Sequence, residues 1–493
     1  MIKYKIWTFL LLLMLLLALL IFAYMNPVNK TSNQKKVDET EVLVWQTTGD
    51  QADLLEKKDS LYFSNQHSPS LPTVAIEPNT AYQQMDGFGA AVTGSTAYLL
   101  QNEDDSDRNS ILTDLFTSKG INLSIVRHTI GSSDFSVDVN GNPSSYTYND
   151  TNGEPDYDMN YFSIKKDKDV VGSLQDILTL NKDIQVLGTP WSAPAWMKFG
   201  EKTLNGWYLD YTNDKVYKAY ADYFVRYVKA YKSNGIDISA VTIQNEPEFT
   251  SANYPSMSMG AEEQAKFIGQ YLGPAFQANN LETKIIGFDH NWDSAVQYTS
   301  ALFEDSTAAE YIDGTAFHCY EGTPAAMAQI HENFPSKHIY LTECSSGKWS
   351  ESFADNFSWQ MSNLMIGGPR NWAKAVLMWN IALDENNGPV NGGCSICTGL
   401  LTIDKKTGTT TKNAEYYALG HASKFVQPHA VRIYSSNFPG TIETVAYQNP
   451  DKSIILLALN PMDKEKSFQI ETNGTYFTYS LPPKSAVTFS WQP

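Results

Sequence analysis

The sequence predicts an α/β protein, a (β/α)8 TIM barrel with an appended antiparallel β-sandwich, preceded by an N-terminal hydrophobic anchor. Three observations predict it. Along the middle of the 493-residue chain, a short apolar run ending in polar or aromatic residues and followed by a helix-like segment recurs eight times. After about residue 415 the texture changes to short alternating runs broken by turn formers, the pattern of a sandwich. Residues 6–25 are almost wholly apolar.

Taken in order, the N-terminus MIKYKIWTFLLLLMLLLALLIFAYMNPVNK carries about the twenty apolar residues that a helix needs to cross a bilayer. That is longer than the roughly 7 to 15 of a signal-peptide core, and no small-x-small cleavage site follows. Residues 1–25 are expected to be a signal anchor or signal peptide, and 26–40 a polar tether. Lys3 and Lys5 keep the N-terminus cytoplasmic by the positive-inside rule, which puts the rest at the extracellular face, anchored or secreted. Residues 41–80, beginning with EVLVWQT, supply N-terminal strands to the sandwich; 81–415 form the barrel and 416–493 the C-terminal sandwich. The eight barrel runs start at Met85, Leu123, Ile184, Ile238, Lys284, Gly314, His338 and Ala375. Between the third and fourth, Val216, Tyr220, Tyr223, Tyr227 and Tyr231 recur at helical spacing.

Composition narrows the partner. A net charge of -18 works against nucleic acid and anionic lipid, so any membrane contact is assigned to the N-terminal segment alone. Aromatics at 13% offer flat apolar faces with polar tips, which suit sugars. Eight scattered histidines without HExxH give no metal motif, and no cofactor is expected. Cys394 and Cys397, in NGGCSICTGL, are expected to close a small disulfide loop. Whether Cys319 and Cys344 pair is left open.

In a barrel of this class the active site lies at the C-terminal ends of the strands. There the fourth run reads VTIQNEPEF, and Pro247 steers the residue before it to an extended conformation that stops a helix from starting, which leaves Glu246 at the barrel mouth. Alternation would put Asn245 and Glu246 on opposite faces, so both serve one site only if the strand breaks there. Glu343 ends the seventh run, HIYLTE, across the barrel. Two opposed carboxylates suit glycoside hydrolysis, in which one attacks the anomeric carbon and the other protonates the leaving oxygen. An ion-paired structural role for both, and Glu248, Glu321 or Asp384 as rival groups, fit the pattern less well. A proton-abstracting barrel enzyme would need a metal cluster, a Schiff-base lysine or a phosphate-gripping loop, and none is evident.

From about Val42 onward the chain resembles the family 30 glycoside hydrolases, which include lysosomal glucosylceramidases and microbial endo-β-1,6-glucanases. The motifs are DGFGAAVTGSTA, VRHTIGSSDFS, TPWSAPAWMK, TIQNEPEF, HIYLTECSSG, LMWNIALDENNGP, EYYALGHASKFVQPHAVRI and LPPKSAVTF. The resemblance implies a retaining β-glycosidase with Glu246 as acid/base and Glu343 as nucleophile, acting on a carbohydrate or glycolipid such as glucosylceramide or β-1,6-glucan. It also implies substrate-binding roles for Arg127, read as ending the second strand near the nucleophile with a plain surface arginine as the alternative, Asn245 on the sugar 2-hydroxyl, Trp191 and Trp379 lining the glycone pocket, Asn380 beside Trp379, and His318 and Tyr320 at the sixth strand end. Asp134, in SSDFS, is read as bracing a loop. Two departures stand out: Gly94 replaces a glycone-gripping aspartate of the glucosylceramidases, and His128 and Thr129 replace an apolar residue and proline. The alternatives are an inactive carbohydrate-binding protein on the same fold, or a family member specific for β-xylosides or β-galactans.

Overall fold

The computed structural model describes residues 40–204, 207–350 and 352–493. The expected anchor and nearly all of the tether lie outside them; among the described residues no helix is long and apolar enough to cross a membrane.

Eight parallel strands close into a barrel in chain order: Gly87–Val92, Ile125–Ile130, Gln185–Pro190, Ala240–Thr242, Lys284–Asn291, Ile312–His318, His338–Glu343 and Ala373–Asn380. Each coincides with one of the eight apolar runs. These strands read as continuous runs because both faces are buried, one in the barrel and one under helices. Inside, Ile125, Leu187, Ala240, Ile286, Ala316, Tyr340, Ala375 and Leu377 form an apolar plug at the strand beginnings. Outside, the helix Asp214–Ser233 is capped by the Asn213 side chain, which accepts from Lys215 N, and it buries the predicted tyrosine stripe. Tyr227 packs so closely on the third strand that a Cβ at Gly188 would lie 2.2 Å from its hydroxyl, which is why glycine stands there.

The second unit is one nine-stranded sheet curled over itself, with strands from both chain ends. Its order is Thr475–Leu481, Lys466–Thr472, Thr73–Gln84, Val431–Ser435, Glu443–Gln448, Ile454–Asn460, Ser485–Trp491, Glu41–Thr47, Glu56–Tyr62. Phe477 meets Phe63 at 5.0 Å and Phe489 at 5.1 Å across the fold, closing the sandwich core. The expected antiparallel pattern has one exception, since Lys466–Thr472 runs parallel to the start of Thr73–Gln84. That 12-residue strand belongs to both layers. It pairs with Val431–Ser435 only across an irregular register between Glu77 and Ala81, where Pro78 offers no amide donor.

The change of texture near residue 415 is not the edge of the barrel. Ala414–Ser423 is a helix packed into the barrel core through Ala414, Tyr416, Leu419 and Ala422. Burial nearly all round hides its period. From it, His421 reaches into the sandwich, with Nδ1 2.8 Å from Thr488 Oγ1 and Nε2 2.9 Å from Thr47 Oγ1. Cys394 and Cys397 are bridged as expected, and Cys319 and Cys344 are bridged as well, joining the ends of the sixth and seventh strands.

Candidate active site

One alternation above the apolar plug, the interior turns polar: Arg127, Thr189, Thr242, Asp289, His318 and Thr342 are all buried. Arg127 sits in the middle of its strand, not at the end, and not at the surface. Its Nη1 donates to Glu343 Oε2 at 2.5 Å, Nη2 to Asn245 Oδ1 at 2.8 Å and Asp289 Oδ2 at 3.0 Å, and Nε to Thr189 Oγ1 at 3.2 Å. Burial opposes its charge, but Asp289 and Glu343 more than restore it and its pKa is raised. The indoles of Trp191 and Trp379 are stacked at 5.2 Å, and the guanidinium lies 5.1 and 5.4 Å from them. Asn380 accepts from Thr93 Oγ1 at 2.7 Å, while its buried Nδ2 has no partner among the described residues.

The fourth strand ends at Thr242, and the break the sequence requires is present. Glu246 is not extended as the following proline led one to expect: it has φ +45°, in the left-handed region, and its N–H donates to Asp289 O at 2.9 Å. This turn lets Asn245 face Arg127 while Glu246 faces His318, so neighbours in sequence serve one site. Its cost, about 1–3 kcal/mol for a non-glycine residue, is borne by the surrounding hydrogen bonds.

Glu343 is held from both sides, since Tyr320 donates its hydroxyl to Oε1 at 2.8 Å opposite Arg127. His318 lies between the carboxylates, with Nδ1 3.1 Å from Glu246 Oε1 and 4.0 Å from Glu343 Oε1, and Nε2 3.1 Å from Asp289 Oδ1. Burial alone would depress its pKa, but Glu343, Asp289 and Glu246 push it up to about 10. Burial would likewise raise Glu246, yet the hydrogen bond and charge of His318 hold it below the usual range. Asp289, despite burial, is held well down by Arg127 and His318. One atom from each of Glu246, His318 and Glu343 lies within 4.8 Å of the others. This is the donor set that could take a metal, but Arg127 already supplies the fixed positive charge beside it.

Arg127, Asn245, His318, Tyr320, Trp191 and Trp379 thus form one contact network with the two glutamates, whereas Asn380 follows Trp379 and touches Thr93. Of the rivals, Asp384 is tied to Lys405 and to Gly388 N in a turn, and Glu248 lines a cavity whose lining includes neither Glu246 nor Glu343. Sequence reasoning missed Asp289, which faces inward because Phe288 and Asp289 both take positive φ in a bulge of the fifth strand. It also missed His290, whose Nδ1 is 4.0 Å from Glu246. Asp134 braces its loop as expected, through a backbone carbonyl that accepts from Asn391 N at 2.7 Å. Its carboxyl is another matter: it has no side-chain partner among the described residues, and burial with the charges of Glu343 and Glu246 raises its pKa well above the ordinary value. Gly94 opens the helix Gly94–Asn102, and a Cβ there would lie 3.0 Å from Ser136 Cα.

Residues 85–426 match the glycosyl hydrolase family 30 TIM-barrel domain and residues 429–489 the glycosyl hydrolase family 30 beta sandwich domain. An endo-1,6-beta-D-glucanase of Trichoderma harzianum is 33% identical over 445 residues, 85% of this chain and 87% of that protein. The lysosomal acid glucosylceramidase of Mus musculus is 27% identical over 437 residues, 85% of this chain and 83% of its own length. A solved endo-β1,6-glucanase superposes with a TM-score of 0.83 at 34% identity, covering 92% of this chain and 99% of that structure. A buried arginine–glutamate–histidine site at the mouth of this barrel, with relatives of this kind along nearly the whole described length, leads to one assignment: the chain belongs to glycosyl hydrolase family 30 and is an O-glycosyl hydrolase.

Proposed function

We propose that the protein is a retaining β-glycosidase that cleaves β-1,6-linked glucan by double displacement. The observation that carries the reading is the closeness of Glu246 and Glu343, with oxygens within 4.8 Å. Retaining enzymes set the two groups about 5 to 5.5 Å apart, whereas inverting enzymes need about 6.5 to 9.5 Å to admit a water.

In the first half, a Glu343 oxygen attacks the anomeric carbon, the bond to the leaving oxygen breaks, and Glu246 gives that oxygen a proton. Arg127 and Tyr320 hold Glu343 in place by donating to its two oxygens. The acid's proton resides on the Glu246–His318 pair, where it can pass from Nδ1 to Oε1 across 3.1 Å. In the second half Glu246 takes a proton from water, the water oxygen displaces Glu343 from the anomeric carbon, and two inversions give net retention. Because an arginine only donates, its bond to Asn245 Oδ1 turns the amide NH2 outward, where it donates to the sugar 2-hydroxyl. The intact carboxylate pair favours this over an inactive carbohydrate-binding protein.

The choice of β-1,6-glucan over glucosylceramide is supported by similarity. Endo-1,6-β-glucanases of Trichoderma harzianum and Neurospora crassa are 33 and 35% identical to this chain, against 27% for the mouse glucosylceramidase. Hydrolysis of β-1,6-glucan, glucosylceramide, β-xylan, β-galactan and an aryl β-glucoside should be compared directly. The expected result is oligosaccharide release from β-1,6-glucan at the highest kcat/KM; preference for any other member refutes the assignment. The two disulfides also support an oxidising compartment, and we place the enzyme at the extracellular face. Protease added to intact cells should then release active barrel, and retention of all activity inside the cells would refute that placement.

A further inference from the structure

Past Glu246 the chain runs beside a cavity of about 920 Å3 that the displacement chemistry does not use. One wall is a turn after the third strand, built by Phe199 N donating to Tyr208 O at 3.0 Å and Asp210 N to Met197 O at 2.9 Å. The buried Lys198 ties it down, donating to Thr203 O at 3.3 Å, Ser192 Oγ at 2.9 Å and Ser256 O at 2.7 Å. Lys198 thus joins the loops that follow the third and fourth strands. The turn presents Trp207, Tyr208 and Tyr211, 51%, 46% and 57% exposed. The acidic side chains Glu248, Glu262, Glu263 and Asp293 line the same cavity.

Large aromatic rings grouped at the surface mark a binding face. Position says what it binds. Glu248 follows Glu246 by two residues, and Asp293 follows His290, whose Nδ1 is 4.0 Å from Glu246. The cavity is therefore on the side of the acid, and the acid protonates the leaving oxygen.

We infer that this cavity holds the departing, reducing-end portion of a neutral glucan chain, with Trp207 and Tyr211 stacked on sugar faces and the carboxylates accepting hydroxyls. The inference rests on the glucan reading above and deepens it. Carboxylates accept hydrogen bonds and repel anions, so the occupant is a neutral donor of many hydroxyls. A ceramide tail fits poorly, because hydrocarbon would strip water from these acidic side chains and give nothing back. The volume is near the top of the about 300 to 1,000 Å3 of ligand pockets, which leaves room for more than one sugar.

The test is the position of the cut in a β-1,6-linked glucose hexasaccharide labelled with oxygen-18 at its reducing end, read by mass spectrometry. The wild type should leave two or more glucose units on the labelled side. Trp207→Ala and Tyr211→Ala, truncations of exposed rings that open no core cavity, should each move the cut toward the reducing end. The ratio of labelled oligosaccharide to labelled glucose should fall by about tenfold, the scale of one aromatic contact. If the hexasaccharide is cut with an unchanged pattern in both variants, the cavity does not hold the departing chain. If the wild type leaves the hexasaccharide uncut while turning over glucosylceramide, the glucan reading fails and the occupant proposed here fails with it.

Discussion

His318 is the residue on which the chemistry of the site turns, because it touches Glu246 and Asp289 at once and stands 4.0 Å from Glu343. In the wild type the proton shared with Glu246 is held by a histidine whose pKa is raised to about 10, so the pair stays loaded well above neutral pH. His318→Gln leaves that proton to Glu246 alone, a carboxyl that releases it at lower pH. The alkaline limb of kcat/KM should therefore move acidward by about one unit or more, since histidine and carboxyl differ by more than that. A limb that does not move would mean that His318 only positions Glu246. Glu246 and Glu343 were legible as a pair because a strand-end carboxylate before proline is unusual. The residues that set their protonation were less so. Asp289 follows Phe288 in an apolar run, and only the bulge, which no period of two reveals, turns it inward. Asp134 reads as a loop brace in sequence, and it is the burial of its carboxyl beside the charges of Glu343 and Glu246 that ties it to the site.

At the scale of elements, the eight strands were readable because each is short, apolar on both faces and followed by a helix. The fourth is the informative one, with only Ala240–Thr242 in the ladder before the chain departs to place Asn245 and Glu246. The curled sheet was less readable, since Thr73–Gln84 serves two layers and its parallel edge depends on partners some 400 residues away in sequence. The helix that begins at Gly94 shows why one substitution is a poor probe of the pocket. Gly94→Asp would restore the aspartate of the glucosylceramidase pattern, but its Cβ would approach Ser136 Cα at 3.0 Å and Ser136 Cβ at 3.3 Å. Overpacking of this kind costs about 1–3 kcal/mol. A lower Tm is expected alongside any change in substrate preference. An unchanged Tm would show that Ser136 yields freely and that the position is open to an acidic side chain.

For the whole molecule, two histidines carry a cost that grows in acid. His421 joins the last barrel helix to two sandwich strands, and His128 lies under Tyr227 with Nε2 2.6 Å from its hydroxyl. Burial pushes both down to about 3. A histidine held below its unfolded pKa of about 6.5 lends its full stability above that pH, and the contribution drains away as pH falls from there toward about 3. Each costs about 1.4 kcal/mol per pH unit across that window. Urea unfolding at pH 7 and pH 5 should show the loss, and His421→Gln, which keeps a hydrogen-bonding side chain between Thr47 and Thr488, should shrink it. An equal loss in wild type and variant would place the acid-sensitive group elsewhere. The central claim is the double displacement between Glu246 and Glu343, and proton NMR of the earliest products from a β-1,6-linked gluco-oligosaccharide tests it most directly. The β anomer of the new reducing end should appear first and then mutarotate; first appearance of the α anomer would contradict double displacement.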